Sequence, residues 1–235
     1  MNDLTLIIPA KREAESLPIF LKEIENIECK KLIVLQKEDI ETKKSIENIK
    51  NIEIHEQNNN GYGNALIEGI NSVKTEYCCI INADGSMDPK YLNQMRETCK
   101  NLDFVFGSRY QQPGGGSEDD DFVTSIGNYV FTLSGNILFN LKITDILYTY
   151  ILGKSSSFRN LNLSNFDFRI CVEIPIKAKF NNMNYKCLPS YERERIGGKM
   201  HTIPTFRMKF VKRKTNSNAK KVGSKKSNKL IRLLI

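Results

Sequence analysis

The residues best suited to chemistry in this sequence follow an apolar stretch near position 80. Residues 77–81 are typical of a buried strand, and Asn82, Asp84 and Ser86 come directly after it. Oxygen ligands at alternate positions of a tight turn can share one hard divalent cation, such as Mg²⁺ or Mn²⁺. Such a cation can neutralise a diphosphate leaving group. The simpler interpretation of the same residues is a solvated Asp-Gly turn at the end of a strand.

Two further groups have the chemistry of phosphate binding. Gly61, Gly63 and Asn64 open a helical pattern, and backbone N–H groups at a helix start can approach a phosphate. Arg109 follows another apolar stretch and a Gly-Ser turn. Its planar guanidinium is suited to bidentate phosphate recognition. A surface arginine is the alternative interpretation of this residue.

Strand and helix patterns alternate over the first hundred residues and must position these groups. The predicted strands are 4–8, 32–35, 52–54, 77–81 and 104–106; the predicted helices are 13–27, 62–73 and 89–100. This alternation predicts an α/β fold with a doubly wound, mostly parallel sheet and helices on both faces. Such sheets bind ligands at the carboxyl ends of their strands, where the acidic turn lies.

The second half of the chain begins with residues 111–121, QQPGGGSEDDD, which cannot form regular structure. A loop of this kind beside the expected site would serve as a lid, or it is an inert insert. Apolar residues at helical spacing then predict a helix over 122–141. A further helix over 166–180 and a strand over 184–188 complete the predicted elements.

Length and cysteine usage limit the class of protein. A chain of 235 residues can bury one substantial core. No stretch has the roughly 18 continuous apolar residues of a membrane span, and no signal peptide is visible. The six cysteines contain no C-x-x-C pair, which favours reduced thiols in a cytoplasmic protein.

Charge is distributed unevenly along the chain. From Arg195 onward there are 13 Lys or Arg and no Asp or Glu, whereas residues 1–194 hold 22 basic and 27 acidic residues. We therefore expect a folded domain over 1–211 and a basic, flexible tail over 212–235. A basic segment whose last six residues are apolar except for Arg232 fits an anionic membrane surface better than nucleic acid, because no aromatic residues are interleaved for base stacking. A solvated tail is the alternative.

In chain order these pieces resemble family 2 glycosyltransferases with the GT-A fold, and among them the dolichyl- and polyprenyl-phosphate sugar transferases. The resemblance covers roughly residues 4–201, and it is the ordered series, not any single piece, that is specific. The matching segments are residues 6–10 with Glu13, 61–66 with Gly69, 82–89, 107–110, 114–116, 127–128, Asp145, 166–173 and 192–198.

The resemblance implies a metal-dependent, inverting transfer of a sugar from a nucleotide-sugar to a polyprenyl phosphate of the dolichyl or undecaprenyl type. Asp84, Arg109 and Arg195 would be the catalytic residues, and the metal, Mg²⁺ or Mn²⁺, would lie on Asn82, Asp84 and Ser86. The residues implied in donor binding are Pro9, Ala10, Glu13, Gln36, Gly61, Gly63, Asn64 and Ala83. Glu13 is equally well explained as a first-turn glutamate that the helix dipole favours.

Four positions depart from the family pattern on the donor side. Arg12 replaces an Asn, Gln36 an Asp that reads the base, Tyr62 a Lys, and Asn82 the first Asp of Asp-x-Asp. They indicate either a divergent donor or a binding protein that has lost catalysis. A transferase for a soluble glycan is the other alternative, and the acceptor-side pieces disfavour it. We expect a cytoplasmic protein, peripheral on the inner face of a membrane, with no nucleic-acid partner.

Overall fold

The computed structural model describes residues 1–118, 120 and 122–197. Met1–Gly198 form one compact unit. Residues 199–235 form the other unit and lie outside the described residues. The predicted domain limit at residue 211 and the predicted tail over 212–235 therefore stay predictions.

Strands and helices alternate through the first half of the chain, as the sequence pattern predicts. The strands are β1 (Leu4–Ala10), β2 (Lys30–Leu35), β3 (Glu53–Glu56), β4 (Tyr77–Ile80), β5 (Phe104–Ser108), β6 (Gly116–Ser117), β7 (Ile151–Lys154), β8 (Tyr185–Pro189) and β9 (Tyr191–Glu192). The helices are α1 (Ser16–Glu23), α2 (Ile40–Ile46), α3 (Tyr62–Ser72), α4 (Leu92–Cys99), α5 (Phe122–Phe139), α6 (Ser155–Asn160) and α7 (Ile170–Phe180).

Seven strands form the main sheet in the order β3-β2-β1-β4-β7-β5-β8. All neighbouring pairs are parallel except those of β7, which runs antiparallel to both β4 and β5. The predicted doubly wound, mostly parallel sheet is confirmed, but the sequence pattern did not predict β7. The short strands β6 and β9 pair with each other in a separate two-stranded sheet.

Helices cover both faces of the sheet, and the side chains of β1 point alternately to one face and to the other. Leu6 and Ile8 belong to a buried cluster that also contains Phe20 of α1 and Met95 of α4. On the opposite face, Ile7 packs closely against α3. A Cβ on Gly69 of this helix would lie 2.6 Å from the Ile7 side chain. The continuous apolar run of β1 is thus explained by burial on both sides.

Candidate active site

The acidic turn lies where β4 ends, at the carboxyl edge of the parallel strands. Asp84 is 4% exposed, and its Oδ1 accepts the backbone N–H of Ser86 (3.0 Å) and the Ser86 hydroxyl (2.7 Å). Gly85 between them has φ +72°, a conformation that glycine adopts without strain. The local sequence Asp-Gly-Ser therefore builds a tight turn that fixes one carboxylate oxygen of Asp84 and leaves Oδ2 turned to the other side.

Residues 192–196 pack directly on this turn. The backbone N–H of Arg193 donates to the Ser86 carbonyl (2.9 Å), and that of Ile196 donates to the Asp84 carbonyl (2.8 Å). A Cβ on Gly85 would lie 2.4 Å from Cδ1 of Ile196, so the glycine also makes room for this segment. Arg195 Nη1 lies 3.4 Å from Asp84 Oδ2. The structure thus brings together two predicted catalytic residues that are 111 positions apart in the sequence.

Asn82 lies beside Asp84 and contacts a cluster that the sequence did not reveal. Its Oδ1 is 3.4 Å from the Tyr62 hydroxyl, which makes a 2.8 Å hydrogen bond with Thr149 Oγ1. The Tyr62 ring stacks on Phe168, with ring centroids 4.7 Å apart. Burial raises the pKa of Tyr62 well above its ordinary value, so the hydroxyl stays neutral. Two departures from the family pattern, Tyr62 and Asn82, are therefore in contact with each other.

The two glycines at the start of α3 have a neighbour other than the phosphate expected from the sequence. A Cβ on Gly61 would lie 2.1 Å from the Phe166 carbonyl oxygen, and one on Gly63 would lie 2.2 Å from that of Asn165. The Asn64 N–H donates to the Phe166 carbonyl (3.2 Å). These positions require glycine because backbone from residues 165–167 packs against them, and the phosphate approach predicted for Gly61 and Gly63 stays a prediction.

Glu173 of α7 holds that covering segment in place. It is fully buried and accepts hydrogen bonds from the N–H and hydroxyl of Ser164 (2.9 and 2.8 Å) and from the N–H of Asn165 (2.9 Å). Burial alone raises the pKa of Glu173, but Lys177, Asn165 and Ser164 outweigh burial and hold this pKa below its ordinary value. The side chain is therefore ionised at neutral pH and fixes the loop that meets α3.

Arg109 lies at the end of β5, as predicted, but its guanidinium is already surrounded by carboxylates. Nε and Nη2 donate to the two oxygens of Asp145 (2.8 and 3.1 Å), and Nη1 donates to Glu192 (3.0 Å) and, at 3.5 Å, to Asp120. Arg109 is 8% exposed, and Asp145 is 1% exposed. These four residues, which we call the Arg109 cluster, connect β5, β9 and two loops. The guanidinium contacts three carboxylates in this structure, and the phosphate contact expected of Arg109 stays a prediction.

The Arg109 cluster holds more negative than positive charge. Burial raises the pKa of Glu192 even though Arg109 and Ser117 oppose the shift. Burial by itself lowers the pKa of Arg109, but Asp145 outweighs it, so the arginine stays charged. Asp120 and Glu192 were not identified as site residues from their local sequence, since no short-range pattern links either of them to Arg109.

The remaining predicted donor residues lie at the carboxyl ends of β1 and β2. Pro9 and Ala10 pair in register with the last two residues of β2, and Gln36 follows that strand directly. Glu13 accepts a hydrogen bond from the Ser16 hydroxyl, and its N–H donates to Thr42 (3.0 Å). The predicted donor residue Ala83 is buried in the acidic turn.

Arg12 precedes Glu13 with φ +58°, in the left-handed region that Asn tolerates better than other residues that have a side chain. The backbone N–H of Arg12 donates to Asp39 (2.6 Å), which also caps α2 by accepting from Thr42. This backbone conformation gives a physical reason for the Asn that the family pattern has at this position. The departure at Arg12 therefore strains the loop between β1 and α1.

The outer surface of α5 is apolar, whereas its inner surface is mostly polar or small, with the buried Phe139 at its end. The inward residues Asn128, Thr132 and Gly135 are buried, and Asn128 donates to the Tyr110 hydroxyl (2.8 Å). The exposed large apolar residues of this helix are Val123 (75%), Ile126 (48%), Tyr129 (63%), Val130 (53%), Leu133 (43%), Ile137 (73%) and Leu138 (55%). We call this set the α5 apolar face. The 18 residues of α5 include no charged side chain.

Comparison with known proteins identifies the family. The sequence profile described as "Glycosyl transferase family 2" matches residues 5–161. The chain belongs to this family. It is therefore a glycosyltransferase, as the ordered motifs predicted.

Several solved structures are similar to this chain in overall fold. Glucosyl-3-phosphoglycerate synthase from Mycobacterium tuberculosis, in complex with Mn²⁺, UDP and glucosyl-3-phosphoglycerate, has a TM-score of 0.60 at 10% identity, over 83% of this chain and 72% of that chain. Mannosyl-3-phosphoglycerate synthase from Rubrobacter xylanophilus has a TM-score of 0.54 at 15% identity, over 84% and 67%. S. aureus TarS 1–349 has a TM-score of 0.51 at 10% identity, over 81% and 60%. The GT-A fold is confirmed.

Proposed function

We propose that this family 2 glycosyltransferase moves a sugar from a nucleotide-sugar to a polyprenyl phosphate at a membrane surface, with inversion. The α5 apolar face is the observation that carries the choice of a lipid acceptor. An extended row of exposed large apolar side chains on one helix marks an interaction surface. An amphipathic helix that lies in a membrane interface presents such a face to the acyl boundary.

The charge distribution favours a bilayer as the partner of this face. The 13 basic residues from Arg195 onward, with no acidic residue among them, are suited to anionic lipid headgroups. No helix within residues 1–118 and 122–197 is both long enough and apolar enough to cross a membrane. The proposal is one of peripheral attachment, through the α5 apolar face and through the basic segment.

The acidic turn fits a divalent cation through the type of its ligands. Asp84, Asn82 and Ser86 offer a carboxylate, an amide and a hydroxyl oxygen, and Mg²⁺ and Mn²⁺ prefer oxygen. Among the described residues no group of three or more His, Cys, Asp or Glu could hold a metal ion. Asp84 therefore has to share the cation with the diphosphate of the donor. When bound, the cation neutralises that leaving group.

The remaining chemistry needs few protein groups. An oxygen of the acceptor phosphate forms a bond to the anomeric carbon, while the bond from that carbon to the donor diphosphate breaks and the nucleoside diphosphate leaves. The acceptor phosphate is already an anion near neutral pH, so no general base has to remove a proton. Arg195 beside Asp84 is placed to hold a phosphate, and the Arg109 cluster positions the segment that carries Arg195.

Two other functions have specific support. A soluble acceptor is supported by the similar structures, which are complexes with phosphoglyceric acid or glucosyl-3-phosphoglycerate. A binding protein without catalysis is supported by the four donor-side departures, of which Tyr62 and Asn82 are in contact. The metal in those structures is Mn²⁺ or Mg²⁺, bound together with UDP.

One assay separates the three functions. The full chain is incubated with Mn²⁺ or Mg²⁺, a panel of labelled nucleotide-sugars, and either undecaprenyl phosphate in anionic vesicles or free 3-phosphoglycerate. We expect label in the vesicle lipid. Label in phosphoglycerate alone would establish the soluble acceptor, and neither transfer nor metal-dependent donor hydrolysis with any donor would establish the binding protein.

The role of the α5 apolar face is tested by paired serine variants. Ile126→Ser with Ile137→Ser should weaken vesicle binding by more than tenfold, because each buried isoleucine contributes about 1.5–3 kcal/mol. Donor hydrolysis in solution should persist. The matched control, Ile19→Ser with Ile40→Ser, replaces two residues of similar exposure (54% and 51%) on α1 and α2 and should bind vesicles normally. Equal loss in both pairs would contradict the role of α5.

A further inference from the structure

The two carboxylate oxygens of Asp84 have different surroundings. Oδ1 is fixed inside the turn by the N–H and hydroxyl of Ser86. Oδ2 faces the Arg195 guanidinium, with Nη1 at 3.4 Å. A cation bound at the acidic turn would use the same oxygen, so the guanidinium lies on the side of Asp84 that a metal would occupy.

The backbone that carries Arg195 is held on the acidic turn by hydrogen bonds. Ile196 and Arg193 donate from their backbone N–H groups to the carbonyls of the turn, and the Arg193 guanidinium donates to the Gly85 carbonyl (2.6 and 3.1 Å). The Arg195 side chain is 35% exposed, and 3.4 Å exceeds the usual length of a charge-assisted hydrogen bond. A long contact from a partly exposed side chain can be exchanged for another while the segment stays in place.

We propose that Arg195 is the counter-charge of Asp84 before the donor binds, and that the cation and Arg195 are alternatives on Oδ2. When the cation arrives with the diphosphate, the guanidinium moves from Asp84 to a phosphate oxygen. Arg195 thus disfavours the metal alone and favours the metal with a diphosphate. This inference rests on the proposed function and adds the order in which charges are exchanged at its site.

The consequence is a change of opposite sign in two binding constants. In Arg195→Gln, the affinity for Mn²⁺ alone should rise about two- to fivefold, the range of a partly exposed ion pair. The affinity for Mn²⁺ with UDP should fall about tenfold or more, because a charge-assisted contact to the diphosphate is lost. A residue that only stabilised the fold would change both affinities in the same direction.

The experiment titrates the full-length protein with Mn²⁺, alone and with UDP or GDP, and follows free Mn²⁺ by electron paramagnetic resonance. Lys90→Gln is the matched control, since it removes one positive charge near the turn but from a side chain paired with Asp88 (2.8 Å). It should change neither affinity by more than about twofold. Arg195→Lys should keep the low affinity for Mn²⁺ alone.

Several outcomes would overturn the inference. If Arg195→Gln changed both affinities in one direction, or left that for Mn²⁺ alone unchanged, the exchange would be refuted while the proposed function stood. If the folded wild-type protein bound Mn²⁺ neither alone nor with either nucleotide, the metal site and the inference would both fall. If Arg195→Gln did not fold, Arg195→Lys would decide: an affinity for Mn²⁺ alone above the wild-type value would refute the inference.

Discussion

Replacing Arg109 by Met removes one positive charge from among three carboxylates and keeps an unbranched, apolar stem in its place. The guanidinium is 8% exposed and makes contacts of 2.8, 3.0 and 3.1 Å to Asp145 and Glu192. Breaking a buried ion pair costs about 3–5 kcal/mol, because the partner charge stays buried without compensation. Typical domains have about 5–15 kcal/mol of stability, so the variant should lose a large part of it.

Urea denaturation followed by far-ultraviolet circular dichroism measures this loss as a shift in midpoint. Arg169→Met is the matched control, because Arg169 Nε lies 2.8 Å from Asp167 but the two side chains are 43% and 55% exposed. An exposed pair of the same length contributes about 0.2–1 kcal/mol. The contrast between the two variants therefore compares a buried arginine among three carboxylates with an exposed single pair.

The destabilisation by Arg109→Met should also depend on pH. Burial raises the pKa of Glu192, and protonation of this side chain relieves the uncompensated charge, so the loss should be smaller at pH 5 than at pH 8. An urea midpoint like that of the wild type, combined with loss of sugar transfer, would refute this reasoning. Arg109 would then act on a phosphate directly, as its place in the sequence first suggested.

Three further predictions concern other parts of the site. Gly63→Ala should destabilise the fold by several kcal/mol, because the added Cβ would lie 2.2 Å from the Asn165 carbonyl oxygen. Gly127→Ala in α5 should raise stability by about 0.5–1 kcal/mol, because a Cβ there meets nothing within 4 Å. Thermal unfolding measures both changes. Glu192→Gln should stabilise the protein more at pH 8 than at pH 5. The pKa of Glu192 is raised in the folded protein, so ionised Glu192 destabilises the fold only at pH values above its ordinary pKa of 4.5. A stabilisation that does not change with pH in urea denaturation would contradict this. Glu173→Gln should lower stability at pH 7 and have less effect as the pH falls through the lowered pKa of Glu173, which parallel urea titrations would detect.

The sequence by itself determined the alternation of strands and helices, and it identified the acidic turn. Both signals are local: a buried strand is a short apolar run, and Asp-Gly-Ser after Ile81 closes a turn through its own backbone and side chains. The ordered motifs also identified family 2 and the GT-A fold, because glycines and acids recur at fixed places relative to those strands. The family profile confirmed that identification.

The tertiary structure decided which way each pattern faces. The apolar spacing of residues 122–141 predicted a helix correctly, but the side of the helix that meets the protein is the one with Asn128 and Thr132. A hydrophobic period of 3.6 residues shows that a helix has an apolar face, but it does not show whether that face is turned toward the protein or toward solvent. What covers that face depends on contacts with distant segments, which local spacing does not contain.

The same reason explains the other differences at the site. Strand β7 is only four residues long, and its antiparallel place between β4 and β5 follows from pairing with two strands distant in the sequence. The local sequence around Arg109 predicts a phosphate ligand, but its guanidinium contacts Asp145 and Glu192, which lie 36 and 83 positions away in the sequence. Local sequence sets backbone conformation, whereas the partner of a buried charge is set by the chain topology that brings distant residues within hydrogen-bond distance.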